Sequence, residues 1–291
     1  MRMKREEAID VLKGCGFRAE TAITVLTLKC LVKIGADNEL WMHDQLRDMG
    51  RQIVINENLG DPGMRSRLWD CGDIMTVLKN KKGTRHVQGL ILDFEKKNDV
   101  RAQKSSWVRA LNPCSALDSL IKMWKMFFLQ RAEGELILDT QAMKSMVNLR
   151  LLQINHANVK GKFKNFPPSL KWLQWKNCPL ENLPSDYAPH ELAVLDLSES
   201  GIQRVWGWTS TKVAENLMVM NVRHCYNLVA SPDLSSCKSL EKLDFEGCIR
   251  LTKIHKSLGN DIGSMNSLKE LVVDETAISM LPQSLLPPYK T

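Results

Sequence analysis

The chain has 291 residues, of which 44% are hydrophobic and 25% are charged, an ordinary globular composition for about two domains. Its formal net charge of +7 permits contact with nucleic acid or an anionic membrane but demands neither. The first ten residues are charged and lack an apolar core, which excludes a secretory signal. The apolar stretch 21–34 is interrupted by Lys29 and Lys33, which excludes a membrane span. We therefore expect a soluble cytoplasmic protein, with entry into the nucleus left open.

The first sixty residues predict three helices and a hairpin. Hydrophobic spacing predicts helices over residues 4–15 and 20–30, and the turn at residues 35–38 predicts a hairpin of strands 31–34 and 40–42. A third helix is predicted to begin near Asp44. The predicted buried faces comprise Ala8, Val11 and Leu12 in the first helix, Ile23, Leu26 and Cys30 in the second, and Leu46, Met49, Ile53 and Val54 in the third. This order predicts a small helical winged-helix domain over residues 1–60.

The next segment, residues 61–134, is predicted to be a linker that contains one strand, residues 87–93, and an atypical insertion. The insertion spans residues 95–134. Within it, the apolar residues of 118–130 would run nearly all round a helix, with lysines interspersed. Two interpretations stay open for that run: a helix buried at the domain junction, or a basic amphipathic helix for a membrane or a partner.

Residues 135–291 contain the repeated pattern LxxLxLxx(N/C)x(x)L. Six copies recur at intervals of 21 to 28 residues and begin at Leu149, Leu170, Leu192, Leu217, Leu240 and Leu268. The LxL core of each copy predicts a short strand, and stacked copies share one core. The predicted fold class is therefore α/β: the winged-helix domain followed by a leucine-rich-repeat solenoid, a horseshoe with short parallel strands on its concave face. No polar cap follows the last copy, so we expect the array to be truncated in this chain.

The eight cysteines include no CxxC pair, which gives little support to a zinc site, and the lack of a secretory signal weakens a disulfide interpretation. Cys178, Cys225 and Cys248 occupy the ninth position of their repeats, where the chain turns off the strand. We expect these three to pack inside the turn; a reactive or metal-binding role is the alternative.

The outward strand residues of the repeats are candidates for binding a partner. They become acidic along the array, which makes a poor track for phosphates and favours a protein partner. Trp172 is the one large aromatic among them, and it could serve as an anchor or simply pack on the next strand. The candidates are Lys171, Trp172, Lys176, Asp196, Arg223, Asp244, Glu246 and Asp274.

Three segments resemble one family. The run from Leu40 to Arg51 resembles the MHD motif of plant nucleotide-binding leucine-rich-repeat immune receptors, in the form typical of the class with a TIR domain. Arg65 to Trp69 resembles the RSRLW segment of the same receptors, and residues 87–93 resemble the strand that leads into their repeats. The resemblance covers nearly the whole chain except residues 95–134.

The resemblance implies a nucleotide switch. In such receptors the winged-helix domain, part of the NB-ARC module, closes over a nucleotide held by an upstream P-loop domain. The motif residues here are Met42, His43 and Asp44, of which His43 would contact the ADP phosphate and Asp44 would orient the segment. The position of His43 at a strand-to-helix junction agrees, because helix N-termini attract phosphate, and Asp44 is a plausible N-cap. No GxxxxGK[ST] occurs, so ADP or ATP is expected in the complete receptor and not tightly on this chain alone.

We therefore expect a fragment of an intracellular plant innate immune receptor, whose repeats recognise a protein or maintain autoinhibition. The partners implied are a pathogen effector or a guarded host protein, and an intramolecular contact with the NB-ARC module. The alternative is a generic repeat adaptor without nucleotide switching. No catalytic or metal constellation stands out, so no enzyme is expected. The mixed charge of the third helix argues against nucleic-acid binding.

Overall fold

A computed structural model of the protein describes residues 3–93, 137–184, 186–187, 189–205, 214–255 and 267–279. Over these residues the fold is mixed α/β, with one long, mainly parallel sheet and few helices. The predicted insertion 95–134, with its apolar run 118–130, and the predicted end of the array lie outside the described residues.

The N-terminal domain has the three predicted helices and the predicted hairpin. They are α1 (Arg5–Gly14), α2 (Ala19–Leu28), β2 (Lys33–Ile34), β3 (Glu39–Trp41) and α3 (Asp44–Glu57). A strand that the sequence did not predict, β1 (Met3–Lys4), pairs antiparallel with β3, so that the sheet order is β1-β3-β2. A small core of Ala8, Ile9, Ala19 and Ile23 joins α1 to α2.

Several residues predicted to be buried in this domain are exposed. Leu26 on α2 is exposed, as is Cys30, which lies beyond the end of α2, and on α3 Met49 is 57% and Ile53 60% exposed. No residue of α3 is buried. The prediction of a buried stripe on α3 is therefore wrong, since Met49 and Ile53 are exposed and Leu46 and Val54 are only half-buried.

The long sheet contains every strand that the repeats predicted. It begins with β4 (Arg67–Leu68) and β5 (Gly89–Asp93), and continues through β7 (Leu151–Asn155), β9 (Trp172–Gln174), β10 (Val194–Asp196), β11 (Val219–Asn221), β12 (Lys242–Asp244) and β13 (Glu270–Val272). All seven neighbouring pairs are parallel. The central residues of the repeat strands, Leu152, Leu173, Leu195, Met220, Leu243 and Leu271, stand in one register. That register explains the LxL spacing, since each strand buries its apolar side chains only against its neighbours.

A left-handed residue follows each repeat strand. His156, Asn177, Glu199, His224, Gly247 and Glu275 all have φ between 53° and 72°. Each precedes the ninth repeat position, and the amides of the first five donate to a carbonyl of the next turn, as Glu199 N does to Arg223 O (2.8 Å) and His224 N to Glu246 O (2.7 Å). A non-glycine residue in this region costs roughly 1 kcal/mol or more, which the repeated hydrogen bond offsets.

The ninth-position cysteines lie inside these turns, as predicted. The Sγ atom of Cys225 lies 3.2 Å from the carbonyl oxygen of Leu197, and that of Cys248 lies 3.1 Å from the oxygen of Val222, so each thiol donates to the preceding turn. Burial raises the pKa of the Cys178 and Cys225 thiols to about 12 and that of Cys248 to about 11. The thiols are therefore protonated and poorly reactive at neutral pH.

Opposite the long sheet, β6 (Ile137–Asp139) pairs in parallel with β8 (Asn158–Lys160). Helix α4 (Cys71–Lys79) covers the first end of the main core with Ile74 and Val77, and Asp70 caps its N-terminus. The core then runs continuously from Leu68 to Leu251. Neither β4, β6 nor β8 was predicted from the sequence.

The side chain of Arg65 links the end of α3 to the main core. The side chain is buried; its Nε donates to the carbonyl of Asn58 (2.7 Å) and its Nη1 to Oδ2 of Asp73 (2.7 Å). The next residue, Ser66, donates its hydroxyl to Glu57 at the end of α3 (2.7 Å). These contacts fix α4 and β4 relative to the end of α3.

We expect Arg65→Met to lower the free energy of unfolding by about 2 kcal/mol, because it leaves a buried carbonyl and the Asp73 carboxylate without their charged donor. Urea denaturation would measure the loss. Arg67→Met is the matched control, since Arg67 is exposed. Equal midpoints for the two variants would contradict the role given to Arg65.

Candidate functional site

Helix α1 of the N-terminal domain packs directly on one face of the long sheet. Val11 of α1 forms a buried cluster with Trp172, Ala193 and Val194. Trp172 is only 3% exposed as a result. We call the sheet residues that meet or surround α1 the docking face: Trp172, Gln174, Ala193, Val194, Asp196 and Lys242.

Gly14 allows α1 to approach the sheet closely. A Cβ atom placed on Gly14 would lie 2.6 Å from Cβ of Ala193, which is too short for two carbon atoms. The last turn of α1 therefore rests against the docking face at a distance that only a glycine permits.

Polar contacts flank this apolar centre. Lys242 Nζ donates to Asp10 Oδ2 at 2.8 Å in an ion pair that is mostly buried. Nε2 of Gln174 donates to Oδ2 of Asp196 at 2.9 Å and lies 3.4 Å from Oε1 of Glu7, so one amide group joins the two carboxylates. Glu7, Asp10, Val11 and Gly14 have the i, i+3, i+4 and i+7 spacing of one helix face.

The electrostatic balance at this contact is unfavourable for the carboxylates. Burial raises the pKa of Glu7, and the negative charge of Asp196 raises it further, against the opposing effects of Lys176 and Gln174. Burial likewise raises the pKa of Asp10, although Lys242 opposes it, and raises the pKa of Asp244. Burial of the ionised carboxylates of Glu7 and Asp10 therefore costs free energy, which the apolar cluster and the ion pair of Asp10 with Lys242 offset.

A cleft of about 530 Å³ opens beside α1, between the helix and the sheet. Five of the eight residues that the sequence suggested as candidates for binding a partner line this cleft, and they differ in their surroundings. Trp172 is buried under α1; Asp196 is buried beside Glu7; and Lys176, Arg223 and Asp244 line the opening.

The other three candidates lie outside the cleft. Glu246 pairs with Arg223 (2.6 Å), Lys171 pairs with Glu191, and Asp274 is exposed near the end of the described sheet. The sequence interpretation missed Glu7, Asp10, Gln174 and Lys242. The polar residues spaced along one face of α1 were the available signal for the first two.

The MHD-like segment forms a separate exposed surface. His43, not Asp44, is the N-cap of α3: its Nδ1 accepts from the amide of Gln45 at 3.2 Å. The prediction of Asp44 as N-cap is thus wrong, because the helix already begins at Asp44, whose carboxylate pairs with Arg47 (2.9 Å). Met42, His43 and Asp44 are all exposed, and none of them lines the cleft beside α1.

Exposed apolar side chains surround this segment in the sequence. Besides Met42, they include Trp41 on β3 and Met49 and Ile53 on α3. Trp41 meets the His43 ring edge-on, with centroids 5.9 Å apart. Apolar exposure of this extent on a small domain is typical of a surface that meets another protein part.

Comparison with known proteins shows similarity to plant disease resistance proteins. Residues 2–58 match the family described as the winged-helix domain of Roq1-like disease resistance proteins. The chain is 31% identical over 252 residues to the disease resistance protein RRS1 of Arabidopsis thaliana, across 84% of this chain and 18% of that protein. It is 28% identical over 256 residues to RPV1 of Vitis rotundifolia (88% and 18%) and 30% identical over 243 residues to RPP5 of Arabidopsis thaliana (82% and 14%).

These relatives are all disease resistance proteins of plants. The chain spans less than a fifth of the length of these relatives. Among the described residues, no helix is both long enough and apolar enough to cross a bilayer.

We expect Glu7→Gln to raise the thermal unfolding midpoint at pH 7.5 and to leave it nearly unchanged near pH 4. The folded chain holds a proton on Glu7 to higher pH than the unfolded chain does, so stability falls as pH rises through the raised pKa. Glutamine keeps the shape and removes this penalty, while Asp10, Asp196 and Lys176 still face the position.

Scanning calorimetry at the two pH values would measure the effect. Glu215→Gln, at an exposed position, is the control and should change neither midpoint. A wild-type midpoint at pH 7.5 equal to or above that of Glu7→Gln would refute the burial penalty.

Proposed function

We propose that this chain contributes the winged-helix and leucine-rich-repeat parts of an intracellular plant innate immune receptor of the TIR class, and that its repeats hold the receptor at rest and recognise a protein. The burial of Trp172 under α1 carries the proposal. The regulatory domain occupies part of the face on which repeat proteins usually bind their ligands. A ligand that reaches the same face would have to compete with α1.

The repeat assignment has local support along the chain. The parallel strands share one register, a left-handed residue follows each repeat strand, and small side chains such as Cys225 and Cys248 fill the turns. This is the arrangement that a leucine-rich-repeat solenoid requires, because each unit completes its core with its neighbours.

Nucleotide switching is the second part of the proposal. The N-terminus of α3 is exposed next to His43, and an anion bound there would meet the positive end of the helix. In the complete receptor, we propose, His43 contacts the phosphate of ADP held by an upstream P-loop domain, and the exposed apolar residues of α3 pack on the same NB-ARC module. Met42 and Asp44 hold this segment in place. The chain itself has no catalytic role in this scheme.

A generic repeat adaptor without nucleotide switching is the alternative. The acidic character of the cleft beside α1 would suit a recruiting surface in either case. The two functions differ in whether the MHD-like segment controls signalling, and they therefore differ in the outcome of substituting Asp44.

We expect Asp10→Lys to release α1 from the docking face, since it places two cations where an ion pair stood, at a cost of about 2 kcal/mol. Hydrogen exchange of the α1 amides in this chain would report the release. In a receptor that joins this chain to its nucleotide-binding domain, the same change should cause cell death in leaves without a pathogen.

Lys242→Asp should have the same effects as Asp10→Lys. The double variant, which has Lys at position 10 and Asp at position 242, rebuilds the ion pair with its charges exchanged. It should therefore restore the protection of the α1 amides from hydrogen exchange and abolish cell death without a pathogen. Lys269→Asp is the control, since Lys269 pairs with Glu241 away from α1 (2.8 Å). A double exchange that stays as active as either single change would show that the pair does not hold the resting state.

We expect Asp44→Val, in the same receptor, to weaken retention of ADP and to favour spontaneous signalling. Asp48→Val is the matched control, because Asp48 is an exposed aspartate one turn further along α3 that pairs with Arg47 and Arg51 of its own helix. Bound nucleotide in the purified receptor and ion leakage from leaves would be measured. A resting state unchanged by Asp44→Val would favour the adaptor.

A further inference from the structure

The cleft beside α1 carries more negative than positive charge. Among the described residues that line it, eight are acidic and four are lysine or arginine. The whole chain has a net charge of +7, so this surplus is local. A buried or half-buried surplus of one sign lowers stability unless a group of opposite charge enters.

Glu7 and Asp196 concentrate this surplus at one point. The helix α1 contributes Glu7 and the strand β10 contributes Asp196, and the amide of Gln174 lies between them. Neither carboxylate forms an ion pair with a lysine or arginine among the described residues, although Lys176 is close enough to influence Glu7. The pair lacks a cation in direct contact.

Ser198 provides an independent observation at the same place. Its side chain is 4% exposed, the residue lines the cleft, and its Oγ has no hydrogen-bond partner. Its amide donates to Oδ1 of Asp196 at 3.0 Å, so Ser198 is held next to Asp196, and both residues line the same cleft as Glu7. Buried hydroxyls of folded proteins are rarely left without a partner, so the Ser198 hydroxyl is available to accept from or donate to a ligand atom that enters the cleft.

We propose that Glu7, Asp196 and Ser198 form a binding site for a cationic side chain, an arginine above all, that a partner protein inserts beside α1. A guanidinium group has five donors in a planar fork, which suits two carboxylates and a hydroxyl at once. No group of three or more His, Cys, Asp or Glu side chains among the described residues is arranged to hold a metal ion. That favours an organic cation.

The site is built from two separate elements, and this determines whether a ligand bound there favours or opposes docking of α1. Glu7 belongs to α1 and Asp196 to the docking face, so the full site exists only while α1 is docked. By linkage, a ligand that binds the docked form better must strengthen docking by the same factor. The partner that inserts an arginine here therefore stabilises the resting receptor. The site rests on the proposed function and names the chemistry of one partner that supports the resting state.

The test compares two small probes, acetyl-arginine amide and its uncharged isostere acetyl-citrulline amide, by NMR titration of the full chain. Arginine should bind at least tenfold more tightly, and Glu7→Gln and Asp196→Asn should each lower that affinity at least fivefold. Ser198→Ala should lower it less. Asp48→Asn, which removes an exposed carboxylate of α3, should leave it unchanged.

Two results would overturn the site: equal binding of the two probes, or an equal loss of affinity in Asp48→Asn and Glu7→Gln. Hydrogen exchange of α1, compared with that of Asp10→Lys, separates this failure from failure of the proposed function. Protected α1 amides with no preference for arginine would reject the site alone. Amides that exchange as fast as in Asp10→Lys would reject the docked resting state and the site together.

Discussion

The strands of the long sheet are three to five residues long in the repeats, and none could bury its own leucines. Each depends on the next copy for its core and on the turn after the strand for its backbone hydrogen bonds. The left-handed residue, such as Asn177 or Glu199, directs its amide to the following turn while the next side chain points inward. This constraint sets the spacing of the copies and aligns the outward side chains into one continuous face. Both the docking face and the cleft are consequences of that alignment.

The contact between α1 and this face balances opposing terms. The cluster of Val11 with Trp172 and Val194 removes apolar surface from water, and Gly14 allows the approach. The burial of carboxylates opposes docking, because it costs free energy; this cost is reflected in the raised pKa values of Glu7 and Asp10. The proposed release of α1 from the docking face depends on such a balance between opposing contributions. A cation at the Glu7–Asp196 pair would shift the balance toward docking.

The N-terminal domain presents two different surfaces for two different purposes. Its α1 side meets the repeats, and its α3 side leaves Met49, Ile53 and Trp41 in contact with solvent. The hydrogen bonds of Arg65 fix the end of α3 to the main core. A structural change on the α3 side can therefore reach the repeats through packed elements. The nucleotide switch proposed above would need this connection.

The sequence by itself determined the position of every predicted repeat strand and the type and approximate bounds of the three helices, because apolar spacing and turn residues act within about twenty residues. It also determined the packing role of Cys225 and Cys248. Only the tertiary structure decided which surfaces meet. The contact of Glu7 with Gln174 spans 167 residues and that of Asp10 with Lys242 spans 232. Trp172 is buried and Ile53 exposed for the same reason: burial between domains depends on which apolar face another domain reaches, and no local pattern encodes that choice.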